Sequence, residues 1–256
     1  MKTKKEIVDN WLPRYTKRPL EGFGKYILLT NFNQYVQLFA EKFGVEVLGK
    51  EGNMPNATAN GITIINFGMG SANAATIMDL LSAVEPNAVL FLGKCGVLKD
   101  GTTLGDFVLP IAAIRGEGTS NDYFPPEVPS LPAFSLQRAV STTIRDYQKD
   151  YYTGTVYTTN RRVWEFDEQF KEYLHRIRAM AVDMETATLF SVGFYNGIPT
   201  GALLLISDQP FISTGVKTSK SDQQVNELYV HDHLNIGITA LDILIRNGRS
   251  VKHLRF

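Results

Sequence analysis

Short apolar runs alternate along this chain with longer stretches whose apolar residues recur at helical spacing. The runs at 26–30, 61–67, 88–92 and 201–206 are predicted strands, and the nearly continuous apolar character of 201–206 is typical of a strand buried on both faces. The segment 33–43 has helical spacing and is followed by Gly44, a common residue at the carboxyl end of a helix. This alternation predicts one α/β domain with a mixed central β-sheet flanked by helices.

The pattern also predicts boundaries within the chain. Residues 1–24 are expected to be a polar amino-terminal arm that docks through Trp11, Leu12 and Pro13, and residues 25–256 to be the main domain. Ser71 is expected to cap a helix that runs to residue 84, and the predicted strand at 88–92 is expected to break at 93–96. A long helix at 221–247 is expected to close the chain, broken or bent near Gly237.

Composition excludes several classes of function. Lysine plus arginine and aspartate plus glutamate are balanced at 26 each, so no overall field directs the chain towards nucleic acid or an anionic membrane. No run approaches the roughly 20 apolar residues that a membrane-spanning helix needs. Cys95 is the single cysteine, which rules out an intramolecular disulfide and fits a reducing compartment. We therefore expect a soluble, cytoplasmic protein.

Two carboxylates stand at the ends of predicted core strands. Glu185 follows a short strand and opens a helix, and Asp208 ends the apolar run at 201–206. Because open α/β sheets bind their ligands at the carboxyl ends of the strands, both residues are candidate functional groups. Burial would raise the pKa of Asp208 and let it donate a proton near neutral pH, whereas the alternative role is that of a helix or turn cap.

Two glycine-rich strand ends are candidate ligand contacts. Gly70 and its neighbours precede a helix, whose backbone N–H groups favour anions, although close packing of the helix on the strand explains these glycines equally well. Lys94, in the segment 93–96, is expected to point into a cleft, and the alternative is that it extends to solvent.

Metal and thiol chemistry are not indicated. His231 and His233 are two residues apart and so do not share a helix face, and the sequence offers no third ligand. Cys95 is more typical of an inert buried thiol, since no histidine lies in a recognisable partnering motif. We expect neither a metal ion nor a cofactor.

The segment 115–132 is a long polar connection with prolines at 125, 126, 129 and 132. This composition does not suit regular structure, and a connection of such length inside a compact domain is usually functional. Its charged and aromatic residues are therefore candidate binding residues.

Four motifs together resemble the purine and uridine nucleoside phosphorylase family, which also includes nucleosidases. They are FGMGSAN at 67–73, LGKCGV at 92–97, VDMETA at 182–187 and ISD at 206–208, and they occur in the family's order and spacing. The resemblance implies that residues 25–256 form a nucleoside phosphorylase-like catalytic domain. It also implies a homo-oligomer, because family members form dimers, trimers or hexamers.

The resemblance implies roles for individual residues. Met184 and Glu185 match the family's ribose contacts, in which the carboxylate accepts hydrogen bonds from the 2′- and 3′-hydroxyls. Asp208 matches the acid that protonates a purine at N7. Val156 and Tyr157 fall where the family stacks an apolar or aromatic side chain on the base.

Departures from the phosphorylase pattern favour water over phosphate as the nucleophile. The loop after the first strand lacks the family's arginine, and Phe91 and Lys94 stand where an arginine and a serine would hold orthophosphate. An apolar ring cannot bind a dianion, so hydrolysis is expected. The amides of Asn31, Asn33 and Gln34 are the candidates for positioning water.

Within the family, the segments 115–132 and 153–159 with Arg162, Trp164 and Glu165 most resemble the AMP nucleosidases, which cleave AMP to adenine and ribose 5-phosphate. The chain is expected to correspond to a short form without an additional amino-terminal domain. We expect Arg115, together with Thr119, Ser120 and Tyr123, to hold the 5′-phosphate, with Lys94, Arg161 and Arg162 as further cations. In the family a basic residue downstream supports the acid, for which Lys217 and Lys220 are the candidates.

The expected activity is therefore hydrolysis of the N-glycosidic bond of AMP, a small-molecule purine nucleotide, without nucleic-acid or membrane partners. Two alternatives remain open. One is a purine nucleoside phosphorylase or a methylthioadenosine-type nucleosidase. The other, from a different class, is a non-catalytic nucleotide-binding protein on the same fold.

Overall fold

Eight strands form one mixed β-sheet in the computed structural model, which describes residues 2–211 and 215–247. In chain order they are β1 (Tyr26–Thr30), β2 (Asn56–Ala59), β3 (Ile62–Asn66), β4 (Ala88–Val97), β5 (Phe107–Gly116), β6 (Tyr151–Thr159), β7 (Ala181–Asp183) and β8 (Thr200–Asp208). Across the sheet the order is β2, β3, β1, β4, β7, β6, β5, β8. Both parallel and antiparallel neighbours occur, so the prediction of a mixed sheet is confirmed.

Helices cover both faces of this sheet. They are α1 (Lys4–Thr16), α2 (Asn33–Phe43), α3 (Ser71–Leu81), α4 (Phe134–Asp146), α5 (Glu168–Arg176), α6 (Thr186–Tyr195) and α7 (Ser219–Arg246). Successive residues of a strand point to opposite faces, and in β1 Ile27 packs with α1, α3 and α6 whereas Leu28 packs with α2, α4 and α7. The predicted α/β fold with flanking helices is therefore confirmed.

Five of the strands close into a ring. Strand β4 pairs with β7, β7 with β6, β6 with β5, β5 with β8, and β8 returns to pair with β4. Strands β1, β3 and β2 extend from β4 as an open sheet. The parallel pairing of β4 with β8 sets Gly96 opposite Asp208, so the carboxyl ends of these two strands meet.

The amino-terminal segment contains a helix that the sequence pattern did not predict. Val8 and Leu12 of α1 are buried in the core, where the helix packs against α3. Within the expected docking segment 11–13, Leu12 is fully buried and makes the contact, whereas Trp11 is 42% exposed. The division of the chain between residues 24 and 25 stays a prediction, and residues 1 and 248–256 lie outside the described residues.

The predicted strand break at 93–96 is wrong. Strand β4 continues to Val97, and all ten of its residues are buried. It continues because β8 pairs alongside it as far as Gly96, and β7 pairs with Gly96 and Val97 on its other side. Lys94 is therefore part of a strand and not of a loop.

Two details of the helices also differ from expectation. Helix α7 runs unbroken through Gly237, where a side chain would lie 2.7 Å from a methyl group of Leu92. The glycine thus permits close packing of α7 on β4 and does not bend the helix. The amino-terminal cap of α3 is Gly70, whereas Ser71 is the first helical residue and its hydroxyl hydrogen-bonds that of Thr119 at 2.7 Å.

Candidate active site

A cleft opens where β4 and β8 end, beside the junction between β7 and α6. Segments that follow β1 and β6 complete its walls. Of the predicted site residues, the cleft brings together Lys94, Arg162, Met184, Glu185 and Asp208. The other predicted site residues, which do not line it, are Gly70, Arg115, Thr119, Ser120, Tyr123, Val156 and Tyr157.

Glu185 lies at the amino-terminal cap of α6 and is only 2% exposed. Its Oε1 accepts a hydrogen bond of 2.7 Å from the backbone N–H of Gly70. Burial, and then the nearby charge of Asp183, raise the pKa of Glu185 to about 8. The Gly70 N–H, which the sequence offered as a ligand contact, is therefore used to hold the Glu185 carboxyl group at the cleft.

Asp183 holds this junction together and was not identified from the sequence. One carboxylate oxygen accepts the hydroxyl of Thr158 at 2.7 Å, and the other accepts the backbone N–H and the hydroxyl of Thr186 at 2.7 and 2.5 Å. Burial raises the pKa of Asp183, while these donors oppose the shift. An aspartate at the end of a strand, three residues before a threonine that opens a helix, was the available signal for such a capping role.

Asp208 is the last residue of β8, and its carboxyl group lies against β4. A side chain at position 96 would come within 2.8 Å of Oδ2, so Gly96 is required for this approach. The hydroxyl of Ser207 donates to Oδ1 at 2.6 Å. Burial raises the pKa of Asp208, and the Ser207 hydrogen bond and the charge of Lys217 only partly oppose this. A raised pKa favours the protonated carboxyl group, which is the form that can serve as a general acid.

Lys94 points into the cleft wall and does not extend to solvent. Its Nζ donates to Asn226 at 2.6 Å and lies 3.2 Å from Asp222 Oδ1, both on α7. It also stands 4.4 Å from the ring centre of Phe32. Burial and then the charge of Lys217 lower the pKa of Lys94, and Asp222 opposes that shift.

Arg115 organises the long connection and is not directed at the cleft. Its guanidinium donates to the backbone carbonyls of Ser120, Phe124, Pro125 and Val128 and to the side chains of Ser120 and Asn121, over distances of 2.6–3.0 Å. These bonds use all five N–H groups of the guanidinium. The expectation that Arg115 holds a phosphate does not fit this arrangement, because no donor is left for a ligand.

The neighbours of Arg115 are also engaged away from the cleft. Thr119 bonds to Ser71, and the hydroxyl of Tyr123 donates to Asp79 at 2.7 Å. The backbone N–H of Ser120 donates to Glu117. This connection, which contains a 3-10 turn at Thr119–Asp122, therefore packs onto α3 and α6 and is not part of the cleft wall.

Val156 and Tyr157 lie in the core and not beside a base-binding surface. Val156 is fully buried in the layer that contains α3 and α6. Tyr157 is 8% exposed and packs edge-on against Phe170 and Tyr173. Alternation along β6 sends the two side chains to opposite faces, and the stacking role expected for them does not fit either position.

The connection after β6 supplies cleft residues instead. Arg161, Arg162, Trp164 and Glu165 line the cleft. Arg161 is paired with Asp167 at 2.9 Å, whereas the contact of Arg162 with Glu165 is longer, at 3.5 Å. Arg162 is thus an exposed cation at the cleft and keeps its candidate role.

The loop after β1 also reaches the cleft. Asn31 lines it, interacts with the Glu185 carboxyl group, and has a buried Oδ1 without a hydrogen-bond partner. Asn33, by contrast, accepts a hydrogen bond from Asn66 at 2.6 Å. Of the amides proposed to position water, Asn31 is therefore the one at the site.

The described residues, 2–211 and 215–247, also bear on metal and thiol chemistry. No group of three or more histidine, cysteine or carboxylate residues there is arranged to hold a metal ion. Cys95 is buried, which raises the pKa of its thiol well above the usual value. None of the helices described has the length and apolar character that crossing a membrane requires.

Known proteins resemble this chain over most of its length. The AMP nucleosidase of Escherichia coli K12 is 29% identical in an alignment of 283 positions that covers 93% of this chain and 58% of the relative, so the chain spans less than two thirds of that protein. A guanosine phosphorylase of Halorubrum lacusprofundi is 27% identical over 180 residues, covering 70% of this chain and 74% of the relative.

Solved structures match the fold as well. The crystal structure of AMP nucleosidase from Bacteroides thetaiotaomicron has a TM-score of 0.87 and 60% identity, covering 96% of this chain and 99% of that one. Uridine phosphorylase from Vibrio fischeri has a TM-score of 0.77 at 22% identity, covering 87% and 93%, which shows the fold alone. The family model described as "Phosphorylase superfamily" matches residues 25–242. Because this family model covers most of the chain, including Glu185 and Asp208 at the strand ends, the chain belongs to the phosphorylase superfamily.

Proposed function

We propose that this chain hydrolyses the N-glycosidic bond of AMP, giving adenine and ribose 5-phosphate. The observation that carries the proposal is the convergence on one cleft of two carboxyl groups with raised pKa values, the partly buried Asp208 and the buried Glu185. The 60% identity to a protein described as an AMP nucleosidase, over 96% of this chain, supports the choice of substrate.

Asp208 is the proposed proton donor. Cleavage of the C1′–N9 bond leaves electrons on the base, and a proton delivered to N7 makes adenine a better leaving group. Burial raises the pKa of Asp208, which favours the protonated form that a general acid needs, and general acid catalysis typically contributes about 10²–10⁴-fold.

Glu185, with Met184 beside it, is the proposed ribose contact. Its pKa of about 8 favours the protonated form at neutral pH. Hydrogen bonds from the ribose hydroxyls, and the positive charge that develops on the sugar, both favour the carboxylate. The interaction therefore strengthens towards the transition state, which is the condition for catalysis by binding.

Water is the proposed nucleophile. Phe91 stands where the phosphorylases of the family have an orthophosphate-binding arginine. It is fully buried against Phe67 and does not line the cleft. Asn31 is placed to orient water through its amide, since it lies beside Glu185 at the cleft. This arrangement favours hydrolysis over phosphorolysis.

A product assay tests the proposal. The chain is incubated with AMP, adenosine, methylthioadenosine or uridine, with and without phosphate, and free base and sugar products are measured. We expect adenine and ribose 5-phosphate from AMP without phosphate. A strict phosphate requirement with accumulation of a sugar 1-phosphate would identify a phosphorylase, and adenine binding without base release would identify a non-catalytic protein.

We further propose a cytoplasmic homo-oligomer whose catalytic domain is 25–256, preceded by 1–24. Val163 and Phe166, which are 69% and 73% exposed beside the cleft, support burial against a second subunit. The single free cysteine supports a reducing compartment. Sedimentation of the purified chain tests the assembly, and a monomer at micromolar concentration would contradict it.

A further inference from the structure

Two ammonium groups converge on one carboxylate oxygen at the wall of the cleft. Nζ of Lys94 lies 3.2 Å, and Nζ of Lys217 2.8 Å, from Oδ1 of Asp222. Both lysines line the cleft, whereas Asp222 does not and belongs to the first turn of α7. Two cations that share a single anionic oxygen are also arranged to share an oxygen of a phosphate group.

Lys94 is unusually well shielded for a lysine. Its side chain is 3% exposed, and Asn226 and the Phe32 ring complete its surroundings. Lysine is almost never fully buried unless it is paired, and here its partners come from a different element, α7. A cation shielded from water interacts with an anion more strongly than one in bulk solvent.

The other cations near the cleft are less suited to hold a phosphate. The side chains of Arg161 and Arg162 are 43% and 56% exposed, and each faces a carboxylate of its own segment. Arg115 has no free donor, as described above. The Lys217 side chain, at 23% exposed, and that of Lys94 are the more enclosed pair.

We propose that Lys94 and Lys217 form a phosphate-binding subsite within the cleft, and that Asp222 is the internal counter-anion that holds both lysines in place when the subsite is empty. The ligand is a phosphate monoester dianion, and its identification as the 5′-phosphate of AMP rests on the proposed function. Free inorganic phosphate offers the same oxygens, so the experiment must distinguish the two sources.

Binding measurements test the subsite independently of catalysis. Calorimetric titrations of the full chain with ribose 5-phosphate, ribose and inorganic phosphate are compared for the wild type, Lys217→Gln and Lys94→Gln. Of the two lysines expected to support the acid, Lys217 is the one that lines the cleft and whose charge acts on Asp208. The control is therefore Lys220→Gln, because Lys220 is exposed three residues further along and does not line the cleft. Circular dichroism verifies that each variant is folded. If Lys94→Gln does not fold, Lys217→Gln and Lys217→Arg are compared instead.

For the wild type we expect ribose 5-phosphate to bind at least about tenfold more tightly than ribose, since hydrogen bonds to charged groups are the stronger class. Lys217→Gln should remove most of that preference, Lys217→Arg should restore part of it, and Lys220→Gln should retain it. If Lys217→Gln also lost binding of inorganic phosphate, the subsite would accept both a phosphate monoester and free phosphate. An unchanged preference in Lys217→Gln, or equal weakening of ribose and ribose 5-phosphate, would overturn the proposal.

Steady-state kinetics add the second arm. In Lys217→Gln the KM for AMP should rise at least about tenfold while the KM for adenosine changes less than about twofold. If the wild type hydrolyses neither compound, the proposed function fails, but the binding preference for ribose 5-phosphate still decides the subsite.

Asp222→Asn tests the counter-anion. Removing its charge should strengthen binding of inorganic phosphate several-fold, because the internal anion competes with the ligand and repels it. Weaker phosphate binding in this variant would show that Asp222 only supports the lysines, and the counter-anion role would be abandoned.

Discussion

Asp183 and Thr186 are joined by two hydrogen bonds, because both the backbone N–H and the hydroxyl of Thr186 donate to the same carboxylate oxygen. The contact fixes the first turn of α6 against the end of β7. Glu185 lies between the two residues, and its own N–H donates to Asp183 at 3.2 Å. The position of the proposed ribose contact is therefore set by a buried carboxylate that does not need to touch the substrate.

Asp183→Asn should weaken the site through this contact. The new amide NH₂ would face groups that all donate, so at least one buried hydrogen bond is lost, at a cost of about 1–3 kcal/mol. We expect kcat/KM for AMP to fall at least about tenfold and the free energy of unfolding to fall with it. Thr143→Val, which removes a buried hydroxyl that donates to the Ala139 carbonyl outside the cleft, is the matched control and should cost less in both assays. Equal kcat/KM for Asp183→Asn and the wild type would contradict the positioning role.

Asp208→Asn should separate binding from chemistry. The amide keeps the shape of the side chain but has no acidic proton, so kcat for AMP hydrolysis should fall about 10²–10⁴-fold. The affinity for AMP, measured by titration, should change little. Asp100→Asn, at an exposed aspartate, controls for the loss of one negative charge. Turnover within twofold of the wild type would remove Asp208 from the mechanism.

The raised pKa of Glu185 predicts how stability depends on pH. The folded chain holds this proton up to a pH of about 8, whereas the ordinary value is 4.5, so between these values the folded state binds more protons than the unfolded state. The free energy of unfolding should therefore fall as the pH rises through this window. Glu185→Gln should show a smaller fall between pH 5 and pH 9 in urea unfolding.

The control for this pH experiment is Glu46→Gln, at an exposed position, which should keep the full fall. A residual slope is expected in Glu185→Gln because burial also raises the pKa values of Asp183 and Asp208. If the free energy of unfolding depended on pH identically in Glu185→Gln and Glu46→Gln, the raised pKa of Glu185 would be contradicted.

Tyr35→Phe tests a buried histidine on the other face of the sheet. Nδ1 of His233 accepts the Tyr35 hydroxyl at 2.8 Å, and Nε2–H donates to the Leu203 carbonyl at 2.9 Å. Burial lowers the pKa of His233 to about 3, so the ring is neutral and depends on both partners. Loss of the hydroxyl leaves a buried acceptor unpaired and should cost about 1–3 kcal/mol in urea unfolding.

Tyr152→Phe is the matched control for Tyr35→Phe, because its hydroxyl donates to Gly101 at an exposed site, and it should change stability by less than about 0.5 kcal/mol. Comparable losses of unfolding free energy in the two variants would contradict a specific stabilising role for the hydrogen bond between Tyr35 and His233.

Local signals explain what the sequence predicted of the fold. The apolar runs of β1 and β8 and the helical spacing of α2 arise from neighbouring residues, and their bounds were close to those observed. Closure of the strand ring was not predicted, because the pairing of β4 with β8 joins residues more than 100 positions apart and leaves no local pattern. Helix α1 was missed because few of its residues are apolar and buried.

The same distinction holds at the site. Asp208 and Glu185 were identifiable because an acid that ends a buried strand is unusual. Arg115 was expected to bind a ligand because its partners within the chain could not be predicted. Most of its acceptors are backbone carbonyls, and the residue types do not show where these lie. The contact of Lys94 with Asp222 spans 128 positions and became visible only in the folded chain.

The ring of strands has a consequence for self-association. Because β8 returns to β4, β2 is the terminal strand at the open end of the sheet among the described strands; it is four residues long and is partly covered where Leu48 bridges to Asn56. Long uncovered margins are templates on which other chains add strands and aggregate. The open end of this sheet presents such a template over four residues only, so strand addition at that end is limited to one short stretch far along the sheet from Asp208.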